Sequence, residues 1–508
     1  MSIMNIIKNI LLLLLIMEVT ACSKLLDRDV EDQTRSTIID YNDLGSMYSP
    51  VSGIYRAAAS DNPGFAHWVD AAIRTVRGDD VAKGSAPNDQ IQLSDIKNFQ
   101  NSNPGVVTFW GSNNYWNNHF GLALFCNEAM ADLNRYAANI APGDDQNLAL
   151  NNQYKGEVRV IRALAHLFAS RVFGDVPIVT NNANLSQIPK STTAEIRQWI
   201  ISEMDSSIAF LEDARPNQSV HPGAVTKYTA LLLKAKAAAD LADNENGSQY
   251  WDVVLAATDE IINSGKFNLF PDFYQLWKYP GKLSNESLYE MQYTDQGSSI
   301  GTNIKPGAFW DFQGPNGDQR GSYISGWGFL SPTQIIVDFF NNRNDSVRLK
   351  TTVLFAGANE NTFVTSPSGD KIYGNTNGQT RFMGKAYLPS NQNLSGRREY
   401  GANNNIRVLR YADALLLNAE AKVRKGQSGD VPFNLVRQRA KLDPISDVTL
   451  QQVLDERRAE FACEWWGERY NDLIRTEQAA TVLAPFGFTP GNEYLPIPTQ
   501  QKDLNPNL

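Results

Sequence analysis

The segment EVRVIRALAHLFASRVFGDVP, from Glu157 to Pro177, carries the clearest structural pattern in this chain of 508 residues. Its apolar residues recur at spacings of three and four, which is the period of one face of an α-helix. The stripe consists of Val158, Ile161, Ala165, Phe168 and Val172. Gly174 follows at the position where a C-cap glycine belongs. The segment therefore predicts a helix over residues 154–173 with one buried face.

Helical periodicity recurs on both sides of this segment. The clearest further stretches are 227–243, 251–263, 410–424 and 450–476, and weaker ones are 40–59, 117–139 and 194–212. Short breaks such as Asn244–Gly247 and Ser264-Gly265 separate neighbouring helices. Paired helices joined in this way indicate helical hairpins, which bury a shared core only by stacking. The expected fold class is mostly α.

The region from about 266 to 405 has a different character. Gly, Asn, Ser and Pro interrupt short apolar or alternating runs there, such as Leu288–Tyr293, and this pattern predicts loops and small strands. Residues 60–116 have a similar loop-rich composition. Long irregular regions inside a helical protein usually carry its function.

Charge and composition exclude several classes of protein. The 46 basic and 55 acidic residues give a formal net charge of −9, whereas nucleic-acid-binding proteins usually carry a basic stripe. Hydrophobic residues make up 42% of the chain, which excludes global disorder. Three cysteines cannot form a disulfide framework. Cys126 and Cys463 are expected to be buried free thiols, although a disulfide between them stays open.

The N-terminus has the features of a targeting segment. Lys8 precedes an apolar run, Ile10–Met17, that is too short to span a bilayer. The run leads into Val19–Cys22, where small residues directly before a cysteine predict a bacterial lipoprotein signal. Cys22 would then be acylated and become the first mature residue, with the acyl chains as membrane anchor. The alternative is an ordinary secretory signal with an incidental cysteine.

Motifs spread along almost the whole chain resemble, in order, those of the SusD/RagB family of outer-membrane nutrient-binding lipoproteins. The matching segments are Ser23–Asp27, Glu157–Pro177, Ile262–Leu269, Asn285–Tyr293 (NESLYEMQY), Pro332–Phe339 (PTQIIVDF), Arg410–Ala421 (RYADALLLNAEA), Asn434–Ala440 (NLVRQRA), Glu456–Arg475 and Tyr494–Leu508 (YLPIPTQQKDLNPNL). Two departures are Trp465-Trp466, where small residues usually precede the glycine, and Gln501, where an acid is common.

This resemblance implies a right-handed superhelix of tetratricopeptide-like helix pairs with an inserted loop-rich region that carries the ligand surface. It implies a signal peptide over 1–21 and a single unit over 22–508, with a scaffold of about 22–265 and 406–508 and an insert of about 266–405. It also implies a partner, a SusC-type TonB-dependent outer-membrane barrel, which such proteins cover as an extracellular lid. The expected location is the outer membrane, lipid-anchored, on the extracellular face.

Aromatic residues indicate where a ligand would bind. Sugar rings have apolar C–H faces that pack on indole and phenol rings, while their hydroxyl groups need polar partners at the rim. Two clusters have this composition, Thr108–Asn118 and Phe309–Trp327, and in the family ligands bind on loops of these two regions. The candidate contacts are Trp68, Arg74, Asp79, Trp110, Asn113, Trp310, Asp311, Arg320, Tyr323 and Trp327.

Core packing is the competing role for each of these tryptophans. Trp116 in particular is expected to lie at the buried start of a helix, since its spacing to Phe120 and Leu124 is helical. Trp199, Trp251, Trp465 and Trp466 lie in helical segments, and we expect them in the core or at a partner surface.

Catalytic patterns are weak. Gly297–Gly301 fits G-x-S-x-G, but Thr302–Pro306 cannot start the helix that a nucleophile elbow requires. Glu456, Glu460, Glu464 and Glu468 recur every four residues beside arginines, which is more typical of a charge-paired helix face than of a pair of glycosidase carboxylates. We therefore predict that the protein is not an enzyme.

Cofactor and metal signatures are equally weak. The four histidines, His67, His119, His166 and His221, are not spaced as zinc ligands. The polar loop Asp243–Asn246 lacks the spacing of an EF-hand. The sequence contains neither a P-loop nor a dinucleotide fingerprint in its required context. The expectation is no cofactor and no metal.

Three functions remain. The first is a cell-surface lipoprotein that captures a glycan and delivers it to a TonB-dependent transporter. The second keeps the fold but binds peptides, as the RagB branch of the family implies. The third, a surface glycoside hydrolase, would need two convergent carboxylates such as Asp311 and Asp318. The tryptophan-rich segments favour the first.

Overall fold

The computed structural model describes residues 39–294, 308–316, 326–392, 400 and 403–508. Helices dominate these residues. In chain order they are α1 (Ser49–Ala58), α2 (Trp68–Val76), α3 (Ile91–Lys97), α4 (Pro104–Val107), α5 (Trp110–Ala138), α6 (Asp145–Phe173), α7 (Thr193–Ile208), α8 (Lys227–Ala242), α9 (Tyr250–Asn263), α10 (Phe273–Leu276), α11 (Gln334–Asn342), α12 (Ser346–Thr352), α13 (Tyr411–Arg424), α14 (Asp430–Arg439), α15 (Leu450–Phe461), α16 (Glu468–Arg475), α17 (Ala479–Val482) and α18 (Thr499–Leu504).

The described strands are short and pair two by two, each pair antiparallel. They are β1 (Val81–Gly84), β2 (Ser287–Met291), β3 (Phe329–Pro332), β4 (Val353–Phe355), β5 (Phe363–Thr365), β6 (Lys371–Tyr373), β7 (Arg381–Met383) and β8 (Ile406–Arg410). The pairs are β1–β3, β2–β8, β4–β7 and β5–β6. In the first pair Gly84 is opposite Phe329, and in the second Ser287 is opposite Arg410.

Successive helices stack in the order α5, α6, α7, α8, α9 and α13, each packed against the next. The chain leaves this stack after α9 and returns to it through β8 and α13. The prediction of a mostly α fold built from stacked helical hairpins is confirmed. Amphipathic helices of this kind bury one face against each neighbour, which gives a continuous core along the stack.

Helix α6 shows how the sequence determines one of these elements. Gly174 is its C-cap, as predicted, and its N–H donates to the Ser170 carbonyl at 2.9 Å. The helix begins earlier than the apolar stripe indicates, because the Asp144 side chain caps the first turn by accepting from the Asn147 N–H. The first turns are polar and carry no apolar stripe, so periodicity did not include them.

The single helix predicted over 450–476 is wrong, because the structure divides it into α15 and α16. Cys463 and Gly467 have positive φ angles in the intervening segment. Between them, Trp465 and Trp466 are both buried. The Trp465 ring packs on Trp310, whereas the Trp466 indole N–H donates to the Arg407 carbonyl at 2.7 Å. The helix is interrupted here, and the interruption places two consecutive indoles in the core against different partners.

Two further expectations need correction. The segment 108–118 is not a loop from end to end, because α5 begins at Trp110 and the following residues form its first turns. Within the region 60–116, which was expected to be loop-rich, residues 68–76 form α2. The expectation for Trp116 is confirmed, since it lies buried in α5.

The interior is rich in buried ion pairs. Glu456, Glu460, Glu464 and Glu468 are all buried, so the glutamate series faces the interior instead of forming an exposed face. Glu460 accepts from Arg410 at 2.8 Å and also pairs with Arg439. This pairing supports the structural interpretation of the glutamate series.

The two internal cysteines, Cys126 and Cys463, are buried free thiols, as expected. Burial raises the pKa of the Cys126 thiol to about 12, so it is protonated at neutral pH. Across the described ranges, we find no helix with the combination of length and apolarity needed to cross a bilayer.

Candidate functional site

Three tryptophans meet at the surface of the molecule. The Trp68 ring lies 5.7 Å, between centroids, from the ring of Trp110 and 5.7 Å from that of Trp327. Trp110 is 44% exposed and Trp327 is 42% exposed, whereas Trp68 is partly buried between them. We refer to Trp68, Trp110 and Trp327 as the tryptophan surface. It combines residues from both sequence regions that were predicted to meet.

The pairing of β1 with β3 brings Trp327 to this position. Trp327 lies two residues before β3, and its backbone N–H donates to the Asp311 carbonyl at 2.9 Å. Gly84 ends β1 with φ +71, and a Cβ there would overlap the Gly328 carbonyl oxygen. The two chains can approach this closely only because position 84 is glycine. The position of Trp327 is therefore fixed by backbone contacts.

Trp110 is held at the start of α5. Its indole N–H donates to the Gln90 side-chain oxygen at 3.1 Å, which orients the ring at the surface. Ile91, which directly follows Gln90 in the chain, is 50% exposed. This part of the molecule therefore presents an apolar area of indole rings inclined to one another, bordered by a side-chain amide.

Two phenylalanines support the tryptophan surface from below. Phe312 and Phe329 are buried, and their ring centroids lie 5.6 and 5.5 Å from that of Trp68. Aromatic pairs at this spacing stabilise each other beyond simple area burial. Sequence reasoning did not select either residue, although Phe312 lies inside the second aromatic cluster. Gln90 was also missed, and nothing in the sequence around it indicates its role.

Two polar candidates lie close to the tryptophan surface in the chain. Asn113 is partly buried in the first turn of α5, and its side-chain oxygen accepts from Gln501 at 2.8 Å. Asp311 is also partly buried, and it contributes its carbonyl to the position of Trp327. Gln501, which departs from the family pattern, thus connects the C-terminal segment to α5.

Three other candidates, Arg74, Asp79 and Trp310, are interior residues in this structure. The Arg74 guanidinium donates to the Trp465 carbonyl at 2.9 Å, and its carbon lies 4.8 Å from the centroid of the Trp466 ring. Asp79 pairs with Arg458 and Arg469, each at 2.8 Å. Their partners come from the segment around α16, which is far away in sequence and could not be predicted from local composition.

Trp310 also lies in the interior, because it is 2% exposed and its N–H donates to the Asn404 carbonyl at 3.2 Å. Its ring centroid lies 5.1 Å from that of Trp465. Trp310 therefore has the alternative role that we considered for each tryptophan, which is packing in the core. It does not contribute to the tryptophan surface.

Several predictions fall outside the described residues. They concern the candidates Arg320 and Tyr323, the lipidation site Cys22, the Gly297–Gly301 motif and Asp318, the second carboxylate of the hydrolase hypothesis.

The histidine beside the tryptophan surface, His67, carries no charge at neutral pH. Burial lowers the pKa of His67 to about 4, so its imidazole is uncharged at neutral pH. One ring nitrogen, Nδ1, accepts from the Val69 N–H at 3.2 Å and caps α2. The other, Nε2, lies 3.2 Å from the Asn114 side-chain amide.

An uncharged aromatic surface with an amide border can stack an apolar ring face and accept or donate a few hydrogen bonds. Among the described residues, no group of three His, Cys, Asp or Glu side chains is arranged to hold a metal ion. The chemistry that the tryptophan surface offers is therefore stacking and hydrogen bonding.

Comparison of the sequence with known proteins finds one family model and several relatives. The SusD family model matches residues 285–490. A SusD-like protein of Bacteroides ovatus is 25% identical over 324 residues, which cover 61% of this chain and 56% of that protein, so the match spans little more than half of that relative. SusD-like protein P38 of Formosa agariphila is 26% identical over 404 residues, covering 70% of this chain and 73% of the relative.

A solved structure extends the likeness to the fold. Surface glycan-binding protein A from Bacteroides thetaiotaomicron, in complex with laminarihexaose, superposes with a TM-score of 0.72 at 24% identity, covering 90% of this chain and 97% of that one. The motifs along the sequence, the stacked helices and these matches agree: residues 285–490 match the SusD family model, and the chain is similar to SusD-like proteins over most of its length.

Proposed function

We propose that this protein is a cell-surface lipoprotein that binds a glycan without cleaving it and delivers it to a TonB-dependent outer-membrane transporter. The observation that carries the proposal is the tryptophan surface, in which Trp110 and Trp327 expose about two fifths of their side-chain area on either side of Trp68. Large aromatic side chains rarely remain exposed together unless they form a binding site.

The shape of this surface favours a polymer over a small molecule. Adjacent tryptophan rings can stack successive sugar units of a chain, and an open surface leaves both ends of the polymer free. The Gln90 and Asn113 side-chain oxygens already accept from Trp110 and Gln501, so their amide NH₂ groups are what these two residues can offer to hydroxyl groups. The related structure described above holds a hexasaccharide, which supports a glycan as the ligand class here.

Membrane attachment and delivery rest on the sequence and the family. Acylation at Cys22 would tether the protein to the outer membrane, and a SusC-type barrel would take up the ligand it holds. In this mechanism the protein contributes capture and orientation, and the transporter contributes the energy.

Affinity electrophoresis of residues 23–508 in gels containing plant, host or microbial polysaccharides tests the proposal. We expect at least one polysaccharide to retard the protein, and we expect Trp110→Ala and Trp327→Ala each to weaken binding by tenfold or more, which corresponds to about 1.4 kcal/mol. Phe210→Ala is the matched control, since Phe210 is a 49% exposed aromatic on another part of the surface.

Other results would contradict the proposal in distinct ways. Retardation that persists in both tryptophan variants would place the glycan elsewhere. Binding of a peptide library with no glycan signal would favour the peptide hypothesis. Release of shorter sugars during incubation would show that the protein is an enzyme.

A further inference from the structure

A second feature, separate from the tryptophan surface, is a cavity beside α1. Its volume is about 730 Å³, which lies within the range of roughly 300–1,000 Å³ typical of small-molecule sites. It is enclosed by α1, by the loop around His221 and by the end of β2 with the residues that follow it. We call it the α1 cavity.

Its walls are aromatic. Tyr48, Tyr55 and Tyr293 line it, and the His221 ring stacks on the Tyr48 ring with centroids 3.4 Å apart and planes 7° from parallel. Each phenol is already engaged with the protein: Tyr55 donates to Glu157 at 2.8 Å, Tyr48 donates to Glu157 at 3.3 Å, and Tyr293 donates to the Ala59 carbonyl at 2.7 Å. The rings are therefore held in fixed positions, and what they offer a ligand is apolar surface.

Two charged residues that line the cavity, Asp61 and Arg56, have polar atoms without a partner in the part of the protein that the structure describes. Within the described ranges, Asp61 Oδ1 is buried and has no hydrogen-bond donor. Such an atom costs free energy unless a ligand or water supplies a donor. Arg56 lines the same cavity from its exposed edge, and its guanidinium forms no ion pair or hydrogen bond with any side chain in the described residues. The two opposite charges share the cavity without pairing to each other.

We propose that the α1 cavity is a second binding site, for a short saccharide of one or two sugar units. The apolar face of a sugar would pack against the tyrosine rings, one hydroxyl group would donate to Asp61 Oδ1, and Arg56 would donate to a hydroxyl or ring oxygen near the opening. A free amino acid fits less well, because Arg56 is exposed and would hold its carboxylate only in water.

This site is physically separate from the tryptophan surface. Glu157, which holds Tyr48 and Tyr55, lies on α6 opposite the middle of α5, since Asn151 of α6 contacts Leu133 and His166 contacts Phe120. Trp110 is at the first residue of α5. About 19 residues, roughly 30 Å at 1.5 Å per residue, separate Trp110 from the tyrosine end of the cavity. The Asp61 end lies nearer, because Pro63 is next to Gly121 of α5, about 11 residues or roughly 17 Å from Trp110. The inference therefore does not rest on the tryptophan surface binding a polymer.

Saturation-transfer NMR on residues 23–508 tests the proposal. The probes are glucose, galactose, mannose, N-acetylglucosamine, cellobiose, maltose and laminaribiose, each titrated to give an affinity. We expect at least one probe to bind. We expect Asp61→Asn, which keeps the side-chain volume, to weaken that binding at least fivefold, and Ser52→Trp, which fills the cavity from its edge, to abolish it.

Gly53→Trp is the matched control for the filled cavity. Gly53 is the next residue of α1, does not line the cavity, and an added Cβ there meets no atom within 4 Å. This variant should bind the saccharide as the unaltered protein does. Near-ultraviolet circular dichroism shows whether each variant is folded, and Asp61→Asn provides the second, volume-conserving test should Ser52→Trp fail to fold.

Three results would overturn the inference. The first is no binding of any probe. The second is saccharide binding that Ser52→Trp and Asp61→Asn leave unchanged, or that a Trp110→Ala, Trp327→Ala double variant abolishes. The third is binding of free amino acids or dipeptides alone that is lost in Ser52→Trp, which would make the ligand class wrong. Persistence of the saccharide signal in the double tryptophan variant would separate this site from the proposed polymer surface.

Discussion

Glu157 is a buried residue whose carboxyl group changes charge near neutral pH. It is buried beneath Tyr48 and Tyr55, and burial raises the pKa of its carboxyl group to about 7, from an ordinary value of 4.5. The folded protein therefore keeps a proton on Glu157 between about pH 4.5 and 7, whereas the unfolded chain releases it. Stability linked to this residue must fall as pH rises through that window.

Replacement of Glu157 tests this sign directly. In Glu157→Gln the linked loss is absent, so the free energy of unfolding of the variant should rise relative to the unaltered protein between pH 5 and 8, by an amount on the order of 2–3 kcal/mol. Urea unfolding at pH 5, 6, 7 and 8 measures the difference. Glu245→Gln, at an exposed carboxylate, should give a difference that does not change with pH. A flat difference for Glu157→Gln would show that this carboxyl group titrates normally.

Glu460 tests the buried ion pairs. It is fully buried and pairs with Arg410 and Arg439, and these guanidinium groups hold the pKa of its carboxyl group well below the ordinary value despite burial. Glu460→Gln leaves buried positive charge uncompensated, so we expect the free energy of unfolding at pH 7 to fall by roughly 3–5 kcal/mol.

The control for Glu460 is a surface pair. Lys227 and the exposed Glu260 form a surface ion pair at 2.6 Å, and Glu260→Gln should change the free energy of unfolding by less than about 1 kcal/mol. Urea unfolding measures both variants. Equal small effects would mean that the buried network does not stabilise the fold.

Residue types in the sequence identified which side chains could stack a ligand, but they did not show which of those side chains lie at the surface. Trp68, Trp110 and Trp327 meet as the two-cluster hypothesis requires. Trp310, from the same aromatic cluster as Trp327, lies in the core because Trp465 and the Asn404 carbonyl, both far away in sequence, enclose it. Local sequence contains no information about such partners, so it could not distinguish an exposed indole from a buried one.

At the scale of elements, the break between α15 and α16 makes a specific prediction. Gly467 has φ +74, and an added Cβ would lie 3.1 Å from the Arg74 carbonyl oxygen. Gly467→Ala should therefore lower the free energy of unfolding by about 1–2 kcal/mol, because an L-residue is strained in the left-handed conformation.

A glycine in a helix interior gives the opposite expectation. Gly53 lies in α1, and a Cβ there meets no neighbour within 4 Å. Gly53→Ala should raise the free energy of unfolding by about 0.4–1 kcal/mol, because alanine favours the helix and reduces the freedom of the unfolded chain. Thermal and urea unfolding compare the two variants. A stabilising Gly467→Ala would contradict the reason given for the break.

Among the described helices, periodicity predicted those of ten residues or more except α14, and it missed most of the shorter ones, such as α2 and α11. It fixed α8 and α9 to within one residue at each end, since both combine an apolar stripe with a clear break. It missed α14, whose sequence is short and strongly charged. It fused α15 with α16 because glutamates and arginines continue through the break, while the cause of the break is the burial of Trp465 and Trp466 by other parts of the chain.

At the scale of the whole molecule, buried titratable groups predict how stability depends on pH. Burial lowers the pKa of His67 and His166 to about 4, so the folded state excludes protons that the unfolded chain binds below about pH 6.5. Asp70 and Glu157, with pKa values raised to about 7, act in the opposite direction over a similar window. His119, whose pKa burial and Arg74 also lower, adds to the histidine contribution. We therefore expect the two carboxyl groups to offset only part of the loss, which leaves a moderate fall in the free energy of unfolding between pH 7 and 4.5.

Below that window the paired carboxylates dominate the change in stability. Lys236 and Arg457 lower the pKa of Asp413 to about 2 despite its burial, and ion pairs with arginines also hold the pKa values of Glu460 and Asp472 low. The stability that these carboxylates supply is present above about pH 4 and is lost as pH falls further. Urea unfolding at pH 7, 4.5 and 3 should show a steep loss only in the last step. A steep loss between pH 7 and 4.5 would contradict this partial offset.

The stacked helices explain how one chain can hold two separate binding features. Helix α5 is an element of 29 residues that carries Trp110 at its first turn and packs against α1, which lines the α1 cavity. The motif resemblance predicted the stack and the two sequence regions of the tryptophan surface. It did not predict the cavity, which forms only where α1, the His221 loop and β2 come together.

The proposed function requires above all that a glycan covers the tryptophan surface. Hydroxyl-radical footprinting with mass spectrometry, performed with and without a polysaccharide that retards the protein in gels, measures this at the level of single residues. We predict that the glycan protects Trp110 and Trp327 from oxidation and leaves Phe210, an exposed aromatic on another part of the surface, as reactive as before. Bound glycan with unchanged oxidation of Trp110 and Trp327 would contradict the central claim.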